Sequence, residues 1–164
     1  MSVKRKPAPA TAEHAPLQLE HFLPYRLSIL SNTISQAIAD DYQQRHDLSM
    51  TEWRVMAVLA RFEGLSARQV AERTAMDKVA VSRALARLVG AGRVSRHMHH
   101  HDKRRSVLDL TEAGWSIHDE IAPLARARER EVLEKLTREE RAWLVRILDR
   151  LMDGTERGAH DAER

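Results

Sequence analysis

Apolar residues recur at intervals of three and four from Leu23 onward, at Leu27, Leu30, Ile34, Ile38 and Tyr42. That spacing keeps one face of a helix apolar and predicts an amphipathic helix running to about His46. A second stripe, with Trp53, Val55, Met56 and Leu59, predicts a helix over 51–61, and Gly64 breaks the chain after it. Ser66 followed by Gln69 has capping-box spacing and opens a short third helix that ends near Thr74. After a tight turn at 75–77, Val81, Ala84, Leu85 and Leu88 mark the inner face of a fourth helix, which Gly90 and Gly92 stop. Two short strands are expected over 93–99 and 106–110, with a polar tip at 99–105. Thr111 caps a long helix with Glu112 in its first turn, and Pro123 predicts a kink or break in it. Thr137 and Glu140 open a last helix along Leu144, Ile147, Leu148 and Leu151, and Gly154 is expected to end it.

Helix, helix, tight turn, helix and hairpin, in that order, make a winged helix-turn-helix. The fold class expected is therefore mainly α with one small β-hairpin. The winged helix-turn-helix occupies 47–111. Helices at 18–46 and 112–154 flank it as a dimerisation region, being too apolar for isolated surface helices. Residues 1–17, with Lys4, Arg5 and Lys6, are expected to be a flexible basic tail, and 155–164 a second flexible tail.

Composition narrows the function. The chain has 164 residues and a mass of 18.8 kDa, one domain with helical extensions. Its longest apolar run, Val55 to Ala60, is six residues, against the roughly 20 of a bilayer span. No apolar stretch follows the basic N-terminus, so neither a membrane anchor nor a secretory leader is expected, and the protein is expected in the cytoplasm. Cysteine is absent, which removes disulfides, thiolate metal sites and thiol-oxidation sensing. Net charge is only +3, yet between Ser66 and Arg105 ten basic residues face three acids. That window stands at +7 and the rest of the chain at −4, a basic module on an acidic body, as polyanion binders have.

The second helix of a helix-turn-helix enters the major groove. With its apolar positions inside, the 78–90 helix turns Lys78, Val79, Ser82, Arg83, Ala86 and Arg87 outward. Arginines four apart repel each other slightly on a free helix, but they suit phosphates or guanine edges. Ser66 and Arg68, at the start of the helix before it, join the candidate contacts. The tip residues Asp102, Lys103, Arg104 and Arg105 add another, since an arginine there can reach a narrow minor groove.

Asp102-Lys103-Arg104, followed by Leu110-Thr111-Glu112-Ala113-Gly114, resembles the wing signature of the MarR family of bacterial regulators, an Asp-x-Arg tip and a Leu-Thr-x-x-Gly helix start. Val81-Ser82-Arg83 and the 88–96 segment resemble that family's recognition helix and following strand, and the 48–55 segment its second helix. The resemblance covers about Leu23 to Gly154, with one departure at Arg93, where the family usually has a hydrophobic residue. It implies a homodimer on a pseudo-palindromic double-stranded operator, most often a repressor, released when a small molecule binds between the dimer helices and the winged helix. Aromatic acids and their thioesters are common effectors in such proteins. Candidate effector contacts here are Tyr25, Arg26, Ser28, Asn32, Trp53, Arg54, Trp115 and His118, aromatic walls around arginines that could face a carboxylate. Residue by residue, the plainer role of core aromatic or surface ion pair competes with this one.

His97, His99, His100 and His101 are dense enough to raise zinc or nickel binding. Asp102 is the only obvious further ligand, so no metal site and no cofactor is assigned. Protonation of these histidines would add positive charge near DNA and tighten binding below about pH 6.5. No glycine-rich phosphate loop and no Ser/His/Asp set supports catalysis, and the adjacent pairs Asp40-Asp41 and Glu139-Glu140 point to different helix faces, so no enzyme is expected. The competing readings are a metal-responsive regulator built on the wing histidines and a ligandless architectural DNA binder.

Overall fold

The computed structural model describes residues 16–98 and 106–161, the last eight by their backbone alone. The chain divides into two units at the Thr33–Ile34 junction.

The first unit holds a 3₁₀ turn at Leu19–His21 and the first part of α1 (Leu23–His46). Its described apolar residues, among them Phe22, Leu23, Leu27, Ile29 and Leu30, are all exposed.

The second unit takes up the rest of α1 and then α2 (Met50–Arg61), α3 (Ala67–Thr74), α4 (Lys78–Gly90), β1 (Val94–Met98), β2 (Ser106–Leu110), α5 (Glu112–Leu133) and α6 (Arg138–Asp161). Its core joins Ala39 and Tyr42 of α1, Val55, Met56 and Leu59 of α2, Val70 of α3, and Val81, Leu85 and Leu88 of α4. Val94, Leu108 and Ile121 complete it from the hairpin and α5. The four positions expected inside α4, Val81, Ala84, Leu85 and Leu88, are all buried.

Local chemistry sets the ends of these helices. Ser49 with Glu52, and Ser66 with Gln69, form complete capping boxes on α2 and α3. Asp77 caps α4 by accepting from the backbone N–H groups of Val79 and Ala80 at 2.9 and 3.0 Å. At the other end of α4, Arg93 N–H bonds Leu88 C=O and Gly92 N–H bonds Val89 C=O, the two bonds of a Schellman turn. Gly92, at φ 69°, is the left-handed residue that this turn needs.

The hairpin is antiparallel, pairing Val94 with Leu110 and Met98 with Ser106. Leu65 adds a single bridge to Leu108. Thr111 binds the structure together at its base: its hydroxyl donates to Gly92 C=O at 2.7 Å and accepts from Gly114 N–H at 3.1 Å. Gly114 is buried where α5 crosses the Arg93 backbone. The Leu-Thr-x-x-Gly segment is thus a helix cap and a close crossing in one.

Three sequence expectations change. β1 starts at Val94 instead of Arg93, because Arg93 closes the Schellman turn and turns its side chain away from the hairpin. Pro123 does not break α5. It is exposed, so water can serve the Asp119 carbonyl that loses its partner, while Ile121 beside it is fully buried and holds the helix down. Finally, α6 continues through Gly154 to Asp161, so most of the expected 155–164 tail is helical. An interior glycine costs about 1 kcal/mol, and helix formers such as Glu156, Arg157 and Ala159 follow it. The 1–15 part of the expected N-terminal tail lies outside the described residues.

Candidate nucleic-acid interface and adjoining aromatic cluster

Capping at Asp77 and burial of Val81, Ala84, Leu85 and Leu88 fix the rotation of α4. The opposite face is left to solvent: Lys78, Val79, Ser82, Arg83, Ala86 and Arg87 are all exposed. Lys78 and Arg83 make no ion pair among the described residues. Val79 is an exposed large apolar residue beside them, suited to a thymine methyl group. Arg87 differs, because its Nε lies 3.0 Å from Glu52 Oε1 and its Nη2 3.8 Å from Asp47 Oδ2.

On α3, Arg68 pairs with Glu72 at 2.7 Å on the exposed side, and Ser66 is engaged in its capping box. A cleft of about 190 Å³ between α3 and α4 is lined by Arg68, Lys78 and Ser82, so these three candidates share one surface. The expected wing contacts Asp102, Lys103, Arg104 and Arg105 lie outside the described residues, as do His99, His100 and His101. His97 is described, exposed on β1, with Nε2 3.5 Å from Asp109 Oδ2.

Three of the candidate effector residues meet. His118 stacks on Trp53, with ring centroids 5.7 Å apart, and Trp115 meets His118 edge-on at 5.4 Å. Trp53 also packs at 6.0 Å against Tyr42. Arg54 is held by a 2.8 Å bond to Ser35 and, with Ser35, Tyr42 and Trp53, lines a small cavity of about 70 Å³. The Tyr42 hydroxyl there is buried without a hydrogen-bond partner among the described residues, and burial pushes its pKa up to about 12. Tyr25 and Arg26, in the first unit, line an open groove of about 550 Å³ along their own helix; Ser28 and Asn32 are exposed on that helix and are not among the residues lining it.

A model of the MarR family matches residues 46–105, from the end of α1 up to the residue before β2. The transcriptional regulator HosA of Escherichia coli O157:H7 is 28% identical over 107 residues, covering 65% of this chain and 79% of its own. The solved MarR/EmrR family transcriptional regulator of Acinetobacter sp. ADP1 superposes with a TM-score of 0.77 at 26% identity, covering 86% of this chain and 99% of its own. The PcaV transcriptional regulator of Streptomyces coelicolor, solved with its natural ligand, shares the fold at a TM-score of 0.70 and 21% identity, covering 87% and 99%.

Over 46–105, and in its fold, the chain is similar to MarR-family regulators. It has the winged helix-turn-helix architecture of those transcriptional regulators, with six α-helices and one antiparallel hairpin among the described residues. Among the described residues no helix is long and apolar enough to cross a membrane. Against MarR-family expectation, the residue after Gly92 is Arg93, and it has a defined partner: its guanidinium donates to the carbonyl oxygens of His46 and Asp47 at the α1–α2 corner. Sequence reading also missed Glu52, the one buried charged residue among those described, and Tyr42 as more than core. In the sequence Glu52 stood only within the 48–55 resemblance, and its capping box with Ser49 is seen in the structure. Its second partner, Arg87, comes from another helix.

Proposed function

We propose that this chain is a MarR-family regulator, a homodimeric repressor that leaves a pseudo-palindromic operator when a small aromatic carboxylate or its thioester binds. The observation that carries DNA reading is the outward face of α4, where Lys78, Val79, Ser82 and Arg83 stand exposed on a helix held by its cap and core. Ser66 and Arg68 flank it on α3, and Asp102, Lys103, Arg104 and Arg105 extend the contact through the wing. The operator reading needs two such helices about 34 Å apart, one per half-site. A ligand that changes this separation by a few ångströms costs affinity. The effector reading draws on Trp53, Arg54, Trp115 and His118 in the second unit, and on Tyr25, Arg26, Ser28 and Asn32 in the first. The aromatic cluster offers flat apolar walls, and Arg54 offers a planar donor for a carboxylate. That PcaV holds a ligand in this fold is a fold-level parallel. The site of action is the cytoplasm, where the DNA is, and no catalytic role is assigned.

The test is fluorescence anisotropy of a labelled duplex from upstream of the protein's own coding sequence, against a scrambled duplex, at physiological salt. A preference of about 10³ or more supports a sequence-specific regulator. Equal binding to both would favour an architectural role and defeat this reading. Arg104→Ala is expected to weaken binding strongly with circular dichroism unchanged.

A further inference from the structure

Two basic residues of the helix-turn-helix window are turned toward the corner between α1 and α2. Arg87 leaves α4 near its C-terminal end and meets Glu52 at 3.0 Å and Asp47 at 3.8 Å. Arg93, just beyond the Schellman turn, donates to Asp47 C=O at 3.3 Å and to His46 C=O. These carbonyls close α1, where the helix dipole leaves partial negative charge and no intrahelical donor remains. Asp47 itself sits at φ 44°, a left-handed conformation unusual for a side-chain-bearing residue, so the corner is a defined shape and not a loose joint. On the far side, α5 contributes Glu120, 3.3 Å from His46 Nε2.

Glu52 explains why Arg87 is needed there. The residue is 2% exposed. One carboxylate oxygen accepts both the N–H and the hydroxyl of Ser49, at 2.8 and 2.6 Å. The other oxygen faces Arg87. A buried carboxylate without its cation would be an uncompensated charge, so the pair binds α4 to the first turn of α2. Trp53 and Arg54 follow Glu52 directly on that turn.

We infer that Arg87 and Arg93 are positioning residues. Together they clamp the C-terminal end of the recognition helix and the root of the wing to the α1–α2 corner, and they serve DNA reading by seating α4 and not by touching DNA. This rests on the DNA-reading proposal above. It also gives the effector-facing turn of α2 a direct hold on α4: a shift of Glu52 must shift Arg87.

The test uses the full chain with Arg87→Gln, Glu52→Gln, the double variant and Arg93→Leu, on the upstream duplex and the scrambled duplex across a salt series. Glu52→Gln removes a negative charge near DNA, so simple electrostatics would tighten binding. A positioning role does the reverse. Arg87→Gln, Glu52→Gln and Arg93→Leu are each expected to weaken binding to the upstream duplex about tenfold, with the double variant no worse than either of its singles. The slope of log affinity against log salt is expected to stay at the wild-type value on both duplexes. A slope that falls by about 0.9 for each lost phosphate contact in Arg87→Gln, with Glu52→Gln neutral or tighter, makes Arg87 a DNA contact and overturns the inference. If Arg87→Gln does not fold, Glu52→Gln and Arg93→Leu carry the same decision. A wild-type protein that cannot tell the two duplexes apart defeats the proposed specificity alone, since the slopes are still read on the scrambled duplex.

Discussion

At Gly114 a Cβ would lie 2.1 Å from the carbonyl oxygen of Arg93, a backbone atom that cannot swing aside. Gly114→Ala must push α5 away from the root of the wing, at a cost of roughly 3 kcal/mol. Thermal melting is expected to show a large drop, and an unchanged melting point would mean that the crossing is looser than described. Tyr42 gives the opposite case. Its hydroxyl is buried without a partner among the described residues, so Tyr42→Phe removes a desolvated polar group while keeping the ring against Trp53. A gain of about 1 kcal/mol in stability is expected. A loss would show that something in the adjoining cavity, such as a water, satisfies the hydroxyl. Arg83→Ala should cost about 1–3 kcal/mol on the operator and little on a scrambled duplex if the side chain reads a base. An equal loss on both would make it a phosphate contact. The outward direction of Arg83 was legible because helical period alone decides which way a residue faces. The partner of Arg87 was not legible, because Glu52 and Asp47 stand on other elements, and facing outward from one helix is compatible with facing another.

Among the helices, the tie between α1 and α5 has a pH signature. Arg128 on α5 grips Asp41, in the later part of α1, with two bonds of 2.9 Å, and also meets Glu131. The hydrogen bonds from the Arg128 guanidinium hold the Asp41 carboxyl below its ordinary value. In the unfolded chain Asp41 takes a proton near pH 3.9. The folded state resists that proton, so the tie's contribution is complete above about pH 4 and is lost as pH falls through the lower folded value. Asp41→Asn is expected to melt earlier at neutral pH and to lose less between about pH 4 and pH 2 than the wild type. Parallel melting curves for the two proteins would show that the pair contributes nothing. Element boundaries were legible wherever a cap or glycine acts locally, as at Ser66, Asp77, Gly92, Thr111 and Thr137. They failed at Gly154, and the break that Pro123 allowed did not form, because the local preference is worth only a few kcal/mol at most and neighbouring residues outweigh it.

For the molecule as a whole, the unresolved demand is apolar surface. Trp143, Leu144, Val145, Ile147, Leu148, Leu151 and Met152 are all exposed along α6, which buries none of its residues from Arg138 to Asp153. Each such side chain loses roughly 1.5–3 kcal/mol by staying in water. A helix of this composition needs a partner, and in the proposed homodimer a second copy related by a two-fold axis would supply one while bringing two α4 helices to two half-sites. The stripe Leu144, Ile147, Leu148 and Leu151 was readable from its spacing, and its apolarity placed it in an expected dimerisation region; that the described residues leave it uncovered is seen only in the structure, because periodicity marks an apolar face without naming what covers it. Leu148→Glu with Leu151→Glu places two charges on that face. Sedimentation is expected to give half the wild-type mass, and operator affinity is expected to fall by about 10² to 10⁴, the share that two linked half-sites add over one. Circular dichroism should change little, since neither residue is in the core of the winged helix. A variant that stays dimeric and binds as before would place the two-fold contact elsewhere. A monomer that binds as before would detach DNA reading from dimerisation altogether, and the half-site account of the operator would go with it.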